Sequence, residues 1–457
     1  HQLTLANLEN TGTLIAGAGG VLTIQASSNY SGKTLTGGRW QVEGDGALTV
    51  GTGSIVVNDA EIVLRGSGAR MAQLSGLATN TGTLAIEGGN TFVVGKTSRS
   101  TPISVVNSKT GLIRIDSDSV LQVTGGGKLS NLARIENAGT LLVDATFESG
   151  ASAQFVNAGR LRVQDGGRAT VTNAGTQLES GVLTGGSWEV VGASQAAILS
   201  VGSGDISGNR ASILLSGSLA SFTQIQNLRS NEGRLSVDGG FVFNASALSH
   251  NTGSIVVGAG GTVSLSKSLS VLTDGTLSEG DWQVISDDSK NAARLSIGSR
   301  AIVSNAASIL LSGAASEFNQ INSLVANTGR LQVEGGRTLT LDRLANTGTV
   351  QVGQAGRLIM SRSDEAIVSG NLVGGTWIVD GGSVGAQLSI GTSAITTNSG
   401  TIILRGSAAN FSNLVSGSKA TLRTNAGFLT YEAGAGARLD NLRNTGTMVP
   451  YVANPGL

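Results

Sequence analysis

The chain has 457 residues, of which 68 are glycine, 3 proline and none cysteine, with 39% hydrophobic, 4% aromatic and 13% charged side chains. Glycine without a third-position period excludes collagen, and the apolar content excludes a disordered linker, which leaves rigid repeated turns. Thirty basic and thirty acidic groups cancel, removing the field that would steer the chain to nucleic acid or an anionic membrane, and the missing thiols remove disulfides, thiolate metal sites and thiol catalysis.

From the first residues, Gln2-Leu3-Thr4-Leu5 alternates polar and apolar and runs into Asn10-Thr11-Gly12. Such alternation over four or five residues is a short strand with one buried face. Asn-x-Gly recurs at Asn80, Asn137, Asn157, Asn173, Asn231, Asn251, Asn327, Asn346, Asn425 and Asn444, and the pairs 137/157, 231/251, 327/346 and 425/444 are 19 or 20 residues apart. That period marks stacked units of about three strands, each pairing in parallel with its counterpart one coil away, about 4.8 Å along the axis. Asparagine tolerates the left-handed corner, glycine supplies a second positive φ, and stacked amides can hydrogen-bond as a ladder. No helical spacing is sustained, and parallel crossovers are right-handed. The expected fold is therefore all-β: a right-handed parallel β-helix, or β-solenoid, of about 23 coils of 19 to 20 residues.

A longer repeat lies over the first. Its copies open at Trp40, Trp188, Trp282 and Trp377, starting near 36, 184, 278 and 373, and continue through Ile62-Val63-Leu64, Ile213-Leu214-Leu215, Ile309-Leu310-Leu311 and Ile402-Ile403-Leu404. Phe222, Phe318 and Phe411 follow, with Met71 in the first copy, and these read as core. The tryptophans are 148, 94 and 95 residues apart, so the first interval predicts about three extra coils at about 105–175. Residues 1–446 read as one continuous solenoid and 447–457 as an extended tail.

Candidate sites are few. The recurrent Trp40, Trp188, Trp282 and Trp377 could stack sugar rings as a row on one face. His1 and His250 are the only histidines, too few for a Ser-His-Asp triad or a three-His metal centre. The acidic pairs Asp116 with Asp118, Asp287 with Asp288, and Asp364 with Glu365 each stand alone, the first placed on one strand face. Glu43-Gly44-Asp45-Gly46 is a single approach to a calcium-binding repeat. No cofactor or metal is expected, and no run of 18 apolar residues predicts a transmembrane helix.

The segment Leu344-Ala345-Asn346-Thr347-Gly348-Thr349-Val350-Gln351-Val352-Gly353, followed by Gly356-Arg357-Leu358, resembles the coil repeat of bacterial filamentous haemagglutinins and autotransporter passenger domains. The resemblance implies an exported right-handed β-helix that serves as an adhesin, biofilm component or surface scaffold. A start at His1 without a basic, apolar leader reads as a processed segment. Open strand edges invite edge-to-edge growth, and neither end carries an obvious cap. Leu3 and Leu5 at one end, and Tyr451, Val452 and Leu457 at the other, are the expected subunit contacts. The leading expectation is a non-enzymatic structural protein of the bacterial cell surface that joins end to end into a filament, sheath or stalk. A glycan-binding adhesin is the alternative, and a polysaccharide lyase or hydrolase the remote one.

Overall fold

The computed structural model describes residues 1–95, 103–108, 110–287, 291–416, 419–435 and 441–450. Short parallel strands dominate it. Five 3-10 turns, at Ala72–Gly76, Gly175–Gln177, Thr223–Ile225, Asn319–Ser323 and Ser412–Leu414, are the only helical segments among these residues. None is long and apolar enough to cross a membrane. Contacts group the chain into two compact units, His1–Leu228 and Arg229–Leu457.

In the first unit each turn has three faces. The first carries Leu112–Ile115, Arg134–Asn137 and Gln154–Asn157. The second carries Val120–Thr124, Thr140–Val143 and Arg160–Gln164, and the third Lys128–Asn131, Thr146–Ser149 and Arg168–Val171. Each strand pairs in parallel and in register with its counterpart a turn later, as in Leu121↔Leu141↔Leu161 and Val123↔Val143↔Val163. Period-two alternation sends one set of side chains inward, so the core is a set of columns of like residues. Leu121, Leu141, Leu161, Trp188 and Ile213 form one such column, all buried. The second unit is built the same way, through Ile255↔Trp282↔Ile309↔Leu331↔Val350↔Trp377↔Ile402↔Leu429.

The protein is thus an all-β parallel β-solenoid of about 19 turns, fewer than the 23 expected. The shortfall has a physical reason: not every turn is 19 to 20 residues long. Thr140↔Arg160 spans 20, but Arg160↔Ser187, Ser254↔Asp281 and Thr349↔Thr376 each span 27. The surplus residues form antiparallel hairpins, Leu178–Glu179 with Val182–Leu183, Leu272–Thr273 with Thr276–Leu277, and Ile367–Val368 with Asn371–Leu372. A fourth joins Tyr30–Ser31 to Thr34 and Leu35. Their two-residue tips, Ser180-Gly181, Asp274-Gly275, Ser369-Gly370 and Gly32-Lys33, all have positive φ at both positions, the type I′ geometry whose twist matches a hairpin.

The extra stretch before Trp188 is also different from three added coils. Trp40 lies on the first face, in register through Ile62, Leu84, Ile113 and Ile135 to Phe155. Trp188 lies on the second face, one turn after Leu161. Hence Trp40 to Trp188 is six turns and one face, whereas Trp282 to Trp377 is four turns. The insertion amounts to two turns and a third, and every later corner is displaced by one face. Thr447–Pro450, expected in an extended tail, is instead a strand paired with Phe428–Glu432.

All four tryptophans have 0% exposure. Each indole N–H donates to the carbonyl three residues back, Gly37 at 2.8 Å, Gly185 at 3.0 Å, Glu279 at 2.9 Å and Gly374 at 3.2 Å. Phe155 meets Trp188 edge-on at 6.1 Å and Phe147 at 5.3 Å. Phe222, Phe318, Phe411 and Met71 are buried too, each just ahead of a 3-10 turn. Truncating Trp282 to alanine removes a large core side chain, so a loss of about 3 to 5 kcal/mol is expected. Urea unfolding of the full chain followed by circular dichroism measures it, and a change below about 1 kcal/mol contradicts this packing.

Candidate functional site

The most extended polar feature is the asparagine column. At its centre, Asn327 Nδ2 donates to Gly329 O at 3.3 Å, to Asn346 Oδ1 at 2.8 Å and to Thr349 O at 3.1 Å, while its own Oδ1 accepts from Asn305 Nδ2 at 2.8 Å. The same pattern joins Asn231 to Asn251, and Asn398 to Asn425 to Asn444. Among these, Asn231, Asn251, Asn327, Asn346 and Asn425 are buried with their amide hydrogen bonds made inside the protein. A buried amide without partners costs about 1 to 3 kcal/mol, so the column persists only because each turn completes the one before it.

Two columns exist in the first unit, at different corners. Asn58, Asn80, Asn107 and Asn131 pass hydrogen bonds down the corner between the third and first faces and end on Ser149 Oγ. Asn137 and Asn157 start a new column at the corner between the first and second faces, 2.7 Å apart. Leucine interrupts the columns at each of the four hairpins named above, with Leu35 over Asn58, Leu183 over Asn209, Leu277 over Asn305 and Leu372 over Asn398. Beside two hairpins an amide side chain caps the column through the backbone. Asn29 does so for Asn10, and Gln177 for Asn157.

Asn173 departs from its motif. It lies outside the buried column, donating to Ala151 O at 3.2 Å and accepting from its own Gly175 N at 2.9 Å, because residues 175–177 turn into a 3-10 segment there. Conversely, Asn58, Asn107, Asn131 and Asn305 are column members that the Asn-x-Gly pattern passes over, while Asn398-Ser399-Gly400 is one more copy of that pattern in the column. Asn58-x-Ala60, Asn131-x-Ala133 and Asn305-x-Ala307 carry alanine at the third position, so Asn-x-small was the informative signal.

The expected glycan row is corrected by burial. With no exposed ring face at Trp40, Trp188, Trp282 or Trp377, no sugar can stack on them. Asp116 and Asp118 sit in the turn between Leu112–Ile115 and Val120–Thr124 rather than on one strand face, and Asp116 Oδ2 accepts from Gly88 N at 2.8 Å. Glu365 pairs with Arg343 at 3.3 Å. Asp288, the partner of Asp287 in the second pair, lies outside the described residues. Asp45 accepts from Gly19 N across a turn. His250 Nδ1 meets Ser270 Oγ at 2.9 Å. No group of three or more His, Asp or Glu converges among the described residues.

The best-formed local anion contact is internal. Asp165 accepts hydrogen bonds from the backbone N–H of Ala193 at 2.7 Å, Ser194 at 3.0 Å and Gln195 at 3.2 Å, and from Ser194 Oγ at 2.7 Å. The Ser194 hydroxyl first, then these N–H groups, hold its carboxyl down from 3.8 to about 2. Of the expected subunit contacts, Leu3 is 56% exposed and Leu5 partly exposed on Gln2–Leu8, which pairs on one side with Val21–Ser27. Tyr451, Val452 and Leu457 lie outside the described residues.

Two outcomes test these contacts. Asn327→Ala strips one link from a buried column and takes from Asn305 its side-chain acceptor and from Asn346 its side-chain donor, so a loss of about 2 to 4 kcal/mol is expected, against under about 0.5 kcal/mol for Asn173→Ala. Chemical denaturation of both variants makes the comparison. Because the folded carboxyl of Asp165 is depressed, its stabilising effect is full above the unfolded value and fades as pH falls toward about 2. Melting curves of Asp165→Asn and parent should therefore converge across that acid window and differ most above it. Comparison with protein-family models, with curated proteins and with solved structures finds no match for this chain.

Proposed function

We propose that the chain is a non-enzymatic structural protein of the bacterial cell exterior, a β-solenoid subunit that joins end to end with copies of itself. The observation that carries the reading is the in-register stacking of like residues, in which each turn is a template for the next: Leu121, Leu141 and Leu161 lie directly over one another, and Asn327 passes its amide hydrogen bond to Asn346. Such stacking is the arrangement that templates further strand addition. Heterologous contacts of this kind give open polymers wherever the rotation between copies does not close a ring.

The right-handed winding and the grouping into four units headed by Trp40, Trp188, Trp282 and Trp377 belong to the same reading. In each unit an amide side chain, from Gln73, Gln224, Gln320 or Asn413, reaches back to the preceding turn. Such internal stapling suits a load-bearing scaffold. Zero net charge supports it as well, since little long-range repulsion opposes association.

Sedimentation velocity and negative-stain electron microscopy of the purified chain over a wide concentration range test the proposal. Concentration-dependent linear assemblies are expected. A chain that stays strictly monomeric at the highest concentration removes this reading.

A further inference from the structure

An aspartate followed by glycine can rearrange on itself, because no Cβ hinders the glycine nitrogen as it approaches the side-chain carboxyl. The chain has five such pairs, beginning at Asp45, Asp165, Asp238, Asp274 and Asp380. In four of them the glycine N–H is held. Gly46 donates to Glu43 O at 2.9 Å, Gly166 to Ala196 O at 3.1 Å, Gly239 to Ala259 O at 2.8 Å and Gly381 to Arg405 O at 2.8 Å. Two of the carboxylates are held as well, Asp45 by Gly19 N and Asp165 by the N–H groups of Ala193, Ser194 and Gln195.

Asp274-Gly275 is the exception. It is the tip between Leu272–Thr273 and Thr276–Leu277, where the closing pair is Thr273 with Thr276 and the N–H groups of the tip are left over. Gly275 N donates to no acceptor among the described residues. The Asp274 side chain is 94% exposed, and its ion pair with Arg300, at 3.8 Å, is too long for a hydrogen bond. Asp274 is also the one aspartate of the five with a positive φ, 50°, a region that costs an L residue. The corresponding tips Gly32-Lys33, Ser180-Gly181 and Ser369-Gly370 carry no carboxyl.

We infer that Asp274 is a self-modification site, at which the folded chain converts aspartate to isoaspartate with water as its only co-reactant. Gly275 N loses its proton and bonds to Asp274 Cγ, and one carboxyl oxygen leaves as water, carrying that proton and a second from solvent. Water then opens the five-membered ring at the Asp274 main-chain carbonyl, breaking its bond to Gly275 N and leaving a free α-carboxylate. Atoms and charge are unchanged, but Cβ and Cγ now carry the chain, which is one atom longer at the tip. A two-residue turn does not tolerate that atom. The tip is also where each hairpin is anchored: Lys33 O accepts from Val56 and Val57, Gly181 O from Ser207 and Gly208, Gly275 O from Val303 and Ser304, and Gly370 O from Thr396 and Thr397. Isomerisation therefore releases Val303 and Ser304 from Gly275 O, beside the place where Leu277 lies over Asn305.

The test ages the full chain for weeks in warm, mildly acidic buffer, then maps isoaspartate by peptide mass spectrometry with backbone fragmentation. Asp274 should exceed each of the other four sites by about tenfold or more, a difference of about 1.4 kcal/mol in barrier. In urea, where every glycine N–H is free, the five should age within a few fold of one another. Asp274→Ser, which copies the tips at Ser180 and Ser369, should melt like the parent and show no isoaspartate there. Hydrogen exchange at Val303 and Ser304 should quicken in the aged parent and not in aged Asp274→Ser. Equal ageing of Asp238 or Asp380 in the folded chain, or the same ranking in urea, overturns the assignment. Unchanged exchange at Val303 and Ser304 in isomerised chains overturns the release of the anchor.

Discussion

Everything in this protein follows from one constraint: parallel, in-register pairing puts each residue directly over its counterpart one turn earlier, about 4.8 Å away. At that distance unlike partners clash or go unpaired, so most positions become columns with a single chemical character, broken where a hairpin sets leucine over asparagine. Inward columns are Leu, Val and Ile with an occasional Trp. Corner columns are asparagine because a primary amide can donate to one neighbour and accept from the other, a property few side chains share. Charges obey the same rule on the outer faces. Arg65 is in register with Glu87, Arg114 with Glu136 and Arg405 with Glu432, and Lys128 reaches diagonally to Glu148 at 2.6 Å. Each exposed pair contributes little on its own, about 0 to 1 kcal/mol, but like charges in those places would repel. The balance of thirty against thirty is in part a sum of such local pairings.

Columns also explain why so much of the fold was legible in the sequence. Alternation in Thr349-Val350-Gln351-Val352 gives the strand, and Asn327 to Asn346 gives the turn length, because both signals are local and repeat. What stayed hidden is whatever spacing alone does not encode. Hairpins such as Leu178–Leu183 add residues without disturbing the stack, since both their ends return to the same corner. Dividing the chain length by the shortest turn therefore overcounts turns. The displacement between Asn131 and Asn137 is likewise silent, because Asn-x-small looks alike at any corner.

The candidate site was less legible, for a different reason. An aromatic recurring at one position satisfies two descriptions equally, a row facing outward and a column facing inward. The Gly-Gly pair before Trp40, Trp188 and Trp377 decides between them only in three dimensions, where positive φ at both glycines brings a carbonyl to the indole N–H. Asn173 failed as a column member although its three residues match the motif, since the following residues set whether the corner stacks or turns away.

The move of the asparagine column from one corner to the next says something about how such a chain can change length. A fold whose three faces had fixed roles could grow only by whole turns. Here a strand of the first face and a strand of the second are interchangeable, so an insertion or deletion as small as one strand and its corner leaves every downstream residue stacked on a suitable neighbour. Length in this architecture is adjustable in thirds of a turn.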